Sequence, residues 1–319
     1  MFNLLDGFQI FLVVLIAFLL ANYVYARWAS RHVRKSSMDD AEMEGFANPE
    51  KAGAAGGTNI AVIGNSHLFD DFYAKIYDMI VDGKQRQDAE TNLMLGWAKT
   101  YRPETNTILA LDLGCGTGGQ VDILRKAGVG KAVGIDKSDA MIARGRTLHP
   151  QADLRVGDAE VIGTFAAAEF NLVTMFYFTY YYLQDRTVAL QNVYNWLQPG
   201  GCFVVHVVNR EKFDPILESA SPFTAFSIQK YSKERVTRSK VTFDKFDYEA
   251  DFSLNGAKAE FREEFSFKDG KKRRQVHELR MPTMDQITAE IEGAGFKYKQ
   301  YIDLTAIGYE YQYLFCFVR

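Results

Sequence analysis

From residue 107 to 208 the chain alternates short apolar runs with amphipathic stretches. Residues 108–113, 132–135, 171–176 and 202–208 are apolar and strand-like, while 118–127, 138–147 and 185–197 carry helical spacing. Strands and helices exchanging at this pace predict a parallel sheet covered on both faces, an α/β fold of the doubly wound kind. Before this region, residues 67–78 set Phe69, Phe72, Tyr73, Ile76 and Tyr77 on one side of a helix. After it, Thr283 and Gln286 suit a capping box, Ile287, Ile291 and Ala294 recur at helical spacing, and Gly295 suits the stop. Strand-like runs over 296–304 and 310–318 close the chain.

One segment changes period. Even positions of 246–254 are apolar, as are most odd positions of 257–267, and Asn255-Gly256 between them is a two-residue hairpin signal. Pairing 254 with 257 and 252 with 259 puts both apolar sets on one face. Asp269-Gly270 announces a third strand through 271–281. An antiparallel insertion, spanning about 210–281, is therefore expected between the last parallel strand and the final helix.

The N-terminus has a different character. Residues 10–21 are uninterruptedly apolar, and Tyr23, Tyr25 and Trp28 follow. A helix over 8–26 reaches roughly 28 Å at about 1.5 Å per residue, close to a hydrocarbon core of about 30 Å. A cleaved signal peptide calls for positive charge before the apolar run, and residues 2–7 contain none; Arg27, Arg31, Arg34 and Lys35 come after it. The expectation is a single-pass membrane anchor in 1–34 with the rest of the chain cytoplasmic. Residues 35–58, small, polar and glycine-rich, read as a linker, and 59–319 as the catalytic domain.

Composition narrows the function. A net charge of −3 gives no general attraction to nucleic acid, and 47% hydrophobic residues suffice for a large core. Cys115, Cys202 and Cys316 lie far apart without a CxxC pair, so neither a disulfide framework nor a metal site is expected.

The candidate chemistry sits in Leu-Asp-Leu-Gly-Cys-Gly-Thr-Gly-Gly, residues 111–119, directly after a strand and before a helix. Glycines there allow a tight turn and close approach of a ligand, and the helix N-terminus offers free N–H groups to an anion. By itself the run leaves two cofactors open, because Gly114, Gly116 and Gly119 also satisfy GxGxxG and Asp136 stands near a dinucleotide's ribose position.

Several ordered motifs together give the segment a sharper likeness. Residues 107–208 resemble a class I, Rossmann-like S-adenosylmethionine-dependent methyltransferase, closest to the small-molecule N- and O-methyltransferases. Asp112, Gly114, Cys115, Gly116 and Gly118 match the acidic, glycine-rich first loop. Val133–Met141 matches the second-strand end, Gly-Asp-Ala-Glu at 157–160 the third, and Leu-Gln-Pro-Gly-Gly at 197–201 the turn into the fifth strand. The resemblance implies a seven-stranded, mostly parallel sheet and S-adenosylmethionine as cofactor. The first loop would then cradle the methionine part and Asp136 would hold the ribose. Lys137 and Met141 would flank the adenine and Asp158 would take its amino group, with Ala159 and Phe176 nearby. Cys115 reads as a small filler.

The fourth strand leads into Met-Phe-Tyr-Phe-Thr-Tyr-Tyr-Tyr, residues 175–182, without the Pro-Pro motif of amine-directed nucleic-acid methyltransferases. DNA is therefore not an expected partner. The expected acceptor is a small or lipid-like molecule methylated on nitrogen or oxygen; the alternatives are a cofactor-binding protein without turnover and a protein or RNA methyltransferase. Tyr177, Tyr180 and Tyr181, with Tyr73 and Tyr77, are candidates to line the methyl-transfer pocket, and Tyr73, Tyr177 and Tyr181 the candidate catalytic residues. His206 reads as a core histidine. Basic residues Lys230, Lys233, Arg235, Arg238, Lys240 and 271–274 form a charged face or a contact for anionic lipid.

Overall fold

A computed structural model describes residues 62–81, 84–101, 107–215 and 234–319, together with Leu15, Ile16, Phe18 and Leu20. Apart from those four residues, the expected anchor over 8–26 and the linker over 35–58 lie outside the described residues. Among the described residues, no helix is long and apolar enough to cross a membrane.

The central sheet has seven strands. In chain order β2 is Leu109–Leu113, β3 Lys131–Asp136, β4 Asp153–Val156, β5 Phe170–Met175, β6 Leu197–Val208, β11 Lys297–Asp303 and β12 Gln312–Val318. Their spatial order is β11-β12-β6-β5-β2-β3-β4. The pairings among β2 to β6 are parallel, and β12 runs antiparallel to both β6 and β11. β5 is buried at all six positions, as expected for a strand covered on both faces. The strand order reverses between β2 and β5, and a doubly wound sheet opens its ligand crevice at that switch point.

In chain order the helices are α1 Asp71–Val81, α2 Lys84–Tyr101, α3 Gly119–Lys126, α4 Asp139–Leu148, α5 Thr179–Tyr182, α6 Arg186–Trp196 and α7 Met284–Gly293. Those expected from spacing stand close to their places, and the structure adds two, α2 and α5, that the spacing did not mark. Local chemistry sets several starts: Ser138 Oγ accepts from the Met141 amide, Asp185 from Val188, and Thr283 with Gln286 completes the capping box.

The insertion is a separate sheet built from β7 Arg238–Thr242, β8 Phe246–Asn255, β9 Lys258–Phe267 and β10 Lys272–Arg280, with a two-residue strand β1, Val62–Ile63, parallel to β10. Its hairpin corrects the expected register. Leu254 pairs with Ala259 and Phe252 with Phe261, two residues along from the expected partners. The turn is centred on Gly256 and Ala257, with Gly256 at φ +59°, where a II′-type turn takes its glycine, while Asn255 pairs with Lys258. A slip of two keeps the pleat, so both apolar sets still share a face.

That face is occupied. Phe243, Phe246, Tyr248, Phe265 and Phe267 pack with Phe72, Tyr73, Ile76 and Ile80 of α1 and with Met141 of α4. The insertion is thus fixed to the N-terminal helix, and the pair roofs the side of the domain carrying the glycine loop. The described basic residues of this sheet are turned to their own neighbours rather than gathered into a free patch. Arg238 pairs with Asp251, Lys240 with Glu249, Lys271 with Asp269, Lys272 and Arg274 with Glu264, and Arg273 with Asp70. Arg235 donates to the carbonyls of Arg210 and Phe213.

Candidate functional site

The glycine loop joins β2 to α3 at the switch point. Gly114, Gly116 and Gly118 have φ of +66°, +56° and +80°, a region that L side chains rarely occupy. A Cβ on Gly114 would lie 2.5 Å from Thr179 Cγ2, and one on Gly118 the same distance from Leu154 Cδ1. At Gly116 the nearest atom is 3.5 Å away, on the Tyr77 ring. The loop therefore presses against protein at two glycines and faces Tyr77 of α1 at the third.

Strand-end carboxylates hold this loop. Asp136 Oδ2 accepts from the Gly116 amide at 2.9 Å and Oδ1 from Ser138 at 2.9 Å. Burial raises the Asp136 pKa, and the two amide bonds oppose that rise. Asp112, 3% exposed, accepts from Thr174 Oγ1 at 2.7 Å. Burial lifts its carboxyl to about 7; the Thr174 bond resists, and the charges of Glu90 and Asp136 add to the lift. Lys137 bridges Asp158 at 2.9 Å and Glu160 at 3.0 Å, joining the second and third strand ends. Met141 and Ala159 are buried beside them, and Phe176 is buried under β6 and β12. Cys115 is also enclosed, and burial, with Asp112 and Asp136 nearby, holds its thiol well above the ordinary value. Its side chain packs with Val121, Ile142 and Leu154.

The structure adds two residues that the sequence did not single out. Arg86 and Glu90, one turn apart on α2, form a buried ion pair at 2.7 Å. The Arg86 guanidinium lies between the Tyr177 and Tyr309 rings, 4.4 and 4.3 Å from their centroids, and donates to His206 Nε2 at 2.9 Å. His206 Nδ1–H donates to the Tyr177 carbonyl. Burial and Arg86 hold His206 well below its ordinary pKa, so it is the neutral core histidine expected. Burial raises Glu90 against the pull of Arg86, and its Oε2 has no partner among the described residues. Both residues stand on a helix of weak amphipathic pattern, and Arg86 lies 120 positions from His206, so no local signal marks the pair.

The candidate tyrosines separate. Tyr177, at φ +51°, stands at the end of β5, a strained backbone of the sort found at functional sites. Tyr77 faces Gly116, and the charges that act on its phenol include Tyr177, Asp136 and Tyr182. Tyr181 does not join them: it is fully buried and accepts from the Val208 amide at 2.9 Å. Tyr180 donates to Glu290 at 2.6 Å, on the side of α7. Tyr73 donates to Glu263 of the insertion at 3.2 Å. Tyr73 also packs on Tyr77, ring centroids 6.1 Å apart, so Tyr73 and Tyr77 stay together on α1 while the hydroxyls of Tyr180 and Tyr181 go to Glu290 and Val208.

An adenosyl sulfonium with its zwitterionic tail fits this arrangement. Asp112, its carboxyl displaced to about 7, forms no ion pair among the described residues, and Glu90, paired with Arg86 through Oε1, leaves Oε2 without a partner there; an ammonium would satisfy both. Gly116 lies at contact distance from the Tyr77 ring, an aromatic group that suits a positive sulfur.

Comparison with known proteins agrees. A family model described as a methyltransferase domain matches residues 111–205. A probable S-adenosylmethionine-dependent methyltransferase of Mycolicibacterium smegmatis is 29% identical over 105 residues, which cover 33% of this chain and 40% of that protein. The chain therefore matches about two fifths of the length of this curated relative. Among solved structures, DesVI of Streptomyces venezuelae aligns with a TM-score of 0.55 at 20% identity, over 77% of this chain and 98% of its own. The sugar N-methyltransferase KedS8 of Streptoalloteichus aligns at 0.58 and 19%, over 83% and 98%. A methyltransferase of Clostridium acetobutylicum gives 0.57 and 16%, over 78% and 98%. With the crevice built as it is at the β2–β5 reversal, residues 111–205 match a methyltransferase domain and are similar to S-adenosylmethionine-dependent methyltransferases, with S-adenosylmethionine as the cofactor.

Proposed function

We propose that this chain transfers the methyl group of S-adenosylmethionine to a nitrogen or oxygen of a small acceptor, with an amine preferred. The observation that carries this reading is the roof: α1 and the insertion sheet share one apolar core above the glycine loop. A site enclosed in this way suits a compact acceptor better than a duplex or a protein segment. Tyr77 beside Gly116 and Tyr177 at the end of β5, with Arg86 already over its ring, supply aromatic surface suited to an amine that becomes cationic as it is methylated. The sugar N-methyltransferase KedS8 shares the fold and adds an analogy in the same direction.

When bound, the cofactor supplies an electrophilic sulfonium methyl. The protein's part is to hold the pieces in line and exclude water. Asp136 fixes the glycine loop, Asp112 and the free oxygen of Glu90 would hold the ammonium of the amino-acid tail, and Tyr77 lies against Gly116. The apolar run over 10–21 further supports attachment to a membrane, with the domain on the cytoplasmic side and acceptors that include lipid-like amines.

A screen with radiolabelled methyl donor against amines, amino sugars and lipid extracts tests the proposal. Label in an N- or O-methyl product supports it. Cofactor binding without transfer to any fraction points instead to a binding protein without turnover.

A further inference from the structure

Beneath the roof lies a buried polar chain that cofactor binding does not use. Glu263 of β9, 2% exposed, points inward from an otherwise apolar face. Its Oε1 accepts from Tyr248 at 2.6 Å and from Tyr73 at 3.2 Å. Its Oε2 accepts from Gln275 at 2.6 Å and from His277 Nε2–H at 2.6 Å. With Nε2 donating, the neutral ring leaves Nδ1 as an acceptor, and the Tyr182 hydroxyl donates to it at 2.5 Å. Phe69 closes the side, its ring 5.6 Å from Tyr182 and 6.0 Å from His277.

This chain has direction. One end is a carboxylate held by four donors; the other is a half-buried phenol on α5, the turn that follows Tyr177 and the end of β5. The Phe69 ring that touches Tyr182 also packs on Tyr73 at 5.6 Å, and Tyr73 on Tyr77 at 6.1 Å, so ring contacts lead from Tyr182 to the tyrosine that faces Gly116. The carboxylate end is thus anchored in the insertion, and the phenol end lies toward the crevice. A purely structural carboxylate would be satisfied by Tyr248, Tyr73 and Gln275 and would require no histidine linked onward to a second tyrosine. Those four donors meet the two Glu263 oxygens from three different elements. Glu263 therefore remains an anion able to support a positive imidazole.

We propose that Tyr182, His277 and Glu263 form a proton relay that takes the proton from an amine acceptor during methyl transfer. The inference rests on the methyl-transfer reading and deepens it by naming the acceptor class and the base. The acceptor nitrogen forms its bond to the methyl carbon as the carbon–sulfur bond breaks, with that electron pair remaining on sulfur. The proton released by nitrogen passes to Tyr182 Oη while the phenolic proton moves to His277 Nδ1. The resulting imidazolium is held by Glu263 and loses its proton to solvent after the product leaves. Tyr182 is the catalytic residue of this relay; His277 and Glu263 act through it. Burial, and then the charge of Glu263, raise the Tyr182 pKa far above the ordinary phenol value, so it gives up its proton only as it gains another.

The test uses the full chain with ¹⁵N-labelled histidine, saturated with S-adenosylhomocysteine, and His277 assigned by loss of its signals in His277→Gln. The expected spectrum shows the His277 proton on Nε2 and Nδ1 free to accept. Methylammonium, small enough for any amine pocket, should shift the Nδ1 resonance, and methanol should not. In Tyr182→Phe the response to methylammonium should vanish while affinity for S-adenosylhomocysteine and melting temperature stay near wild type, an outcome that a structural role for Tyr182 does not give. A proton on Nδ1, no response to saturating methylammonium, or an undiminished response in Tyr182→Phe overturns the relay. Calorimetry on the same sample separates the two claims: no heat with S-adenosylhomocysteine counts against the methyltransferase reading itself, whereas binding heat with an unresponsive His277 counts against the relay alone.

Discussion

The Gly116 amide donates to Asp136 Oδ2 at 2.9 Å, so the carboxylate at the end of the second parallel strand fixes the glycine loop that follows the first. Asp136→Ala should release both this amide and that of Ser138. We expect affinity for S-adenosylhomocysteine to fall at least about tenfold, or about 1.4 kcal/mol, as read by calorimetry. An affinity within about twofold of wild type would separate the loop from the carboxylate.

Gly114 carries two constraints at once, a φ of +66° and Thr179 Cγ2 at 2.5 Å from an added Cβ. Gly114→Ala should destabilise the fold by about 2–3 kcal/mol, combining backbone strain with overpacking. Thr179→Ala in the same chain should recover part of that loss and leave the backbone share of about 1 kcal/mol. Urea denaturation of the single and double variants measures the difference.

Asp112 gives cofactor binding a pH dependence. Its carboxyl titrates at about 7 in the free protein, and a bound ammonium and sulfonium lower that value. The bound state then carries fewer protons than the free state between the two values. Affinity should rise as pH increases toward 7 and level off above it, with proton release on binding in the lower range. Calorimetry in buffers of different ionisation heat reads the release, and Asp112→Asn should flatten it.

Tyr181 accepts from the Val208 amide inside the core. Tyr181→Phe leaves that N–H without its partner and should cost about 1–3 kcal/mol in stability, with affinity for S-adenosylhomocysteine unchanged. Thermal and urea melts beside a cofactor titration decide between this structural role and the pocket role its position in the aromatic run suggests.

Much of this site is legible in the chain because its parts are local. Asp112, the loop glycines and Asp136 each stand where an apolar strand ends, and the hydrophobic period locates those ends, whereas β4, Asp-Leu-Arg-Val, has no apolar run and Asp158 was marked by the resemblance alone. The hairpin's apolar face was legible for the same reason, although its turn lies one residue further along than Asn255-Gly256 suggests. What escaped depends on pairing between distant elements. Glu263 is visible as a break in an apolar alternation, but its partners on β10, β8 and α1 follow only from the register and the packing of α1. Arg86 and Glu90 gain meaning from β6 and Tyr177, far along the chain. Tyr180, Tyr181 and Tyr182 are consecutive and look alike in sequence, yet one turn of helix sends their hydroxyls to Glu290, Val208 and His277.

The central claim is that carboxylates at successive strand ends, over a glycine turn, bind an adenosyl sulfonium. Titrating the purified chain with S-adenosylhomocysteine in a calorimeter tests it directly. Saturable one-to-one binding that weakens in Asp136→Ala is the predicted result. No heat at saturating ligand, from protein that melts cooperatively, would contradict it.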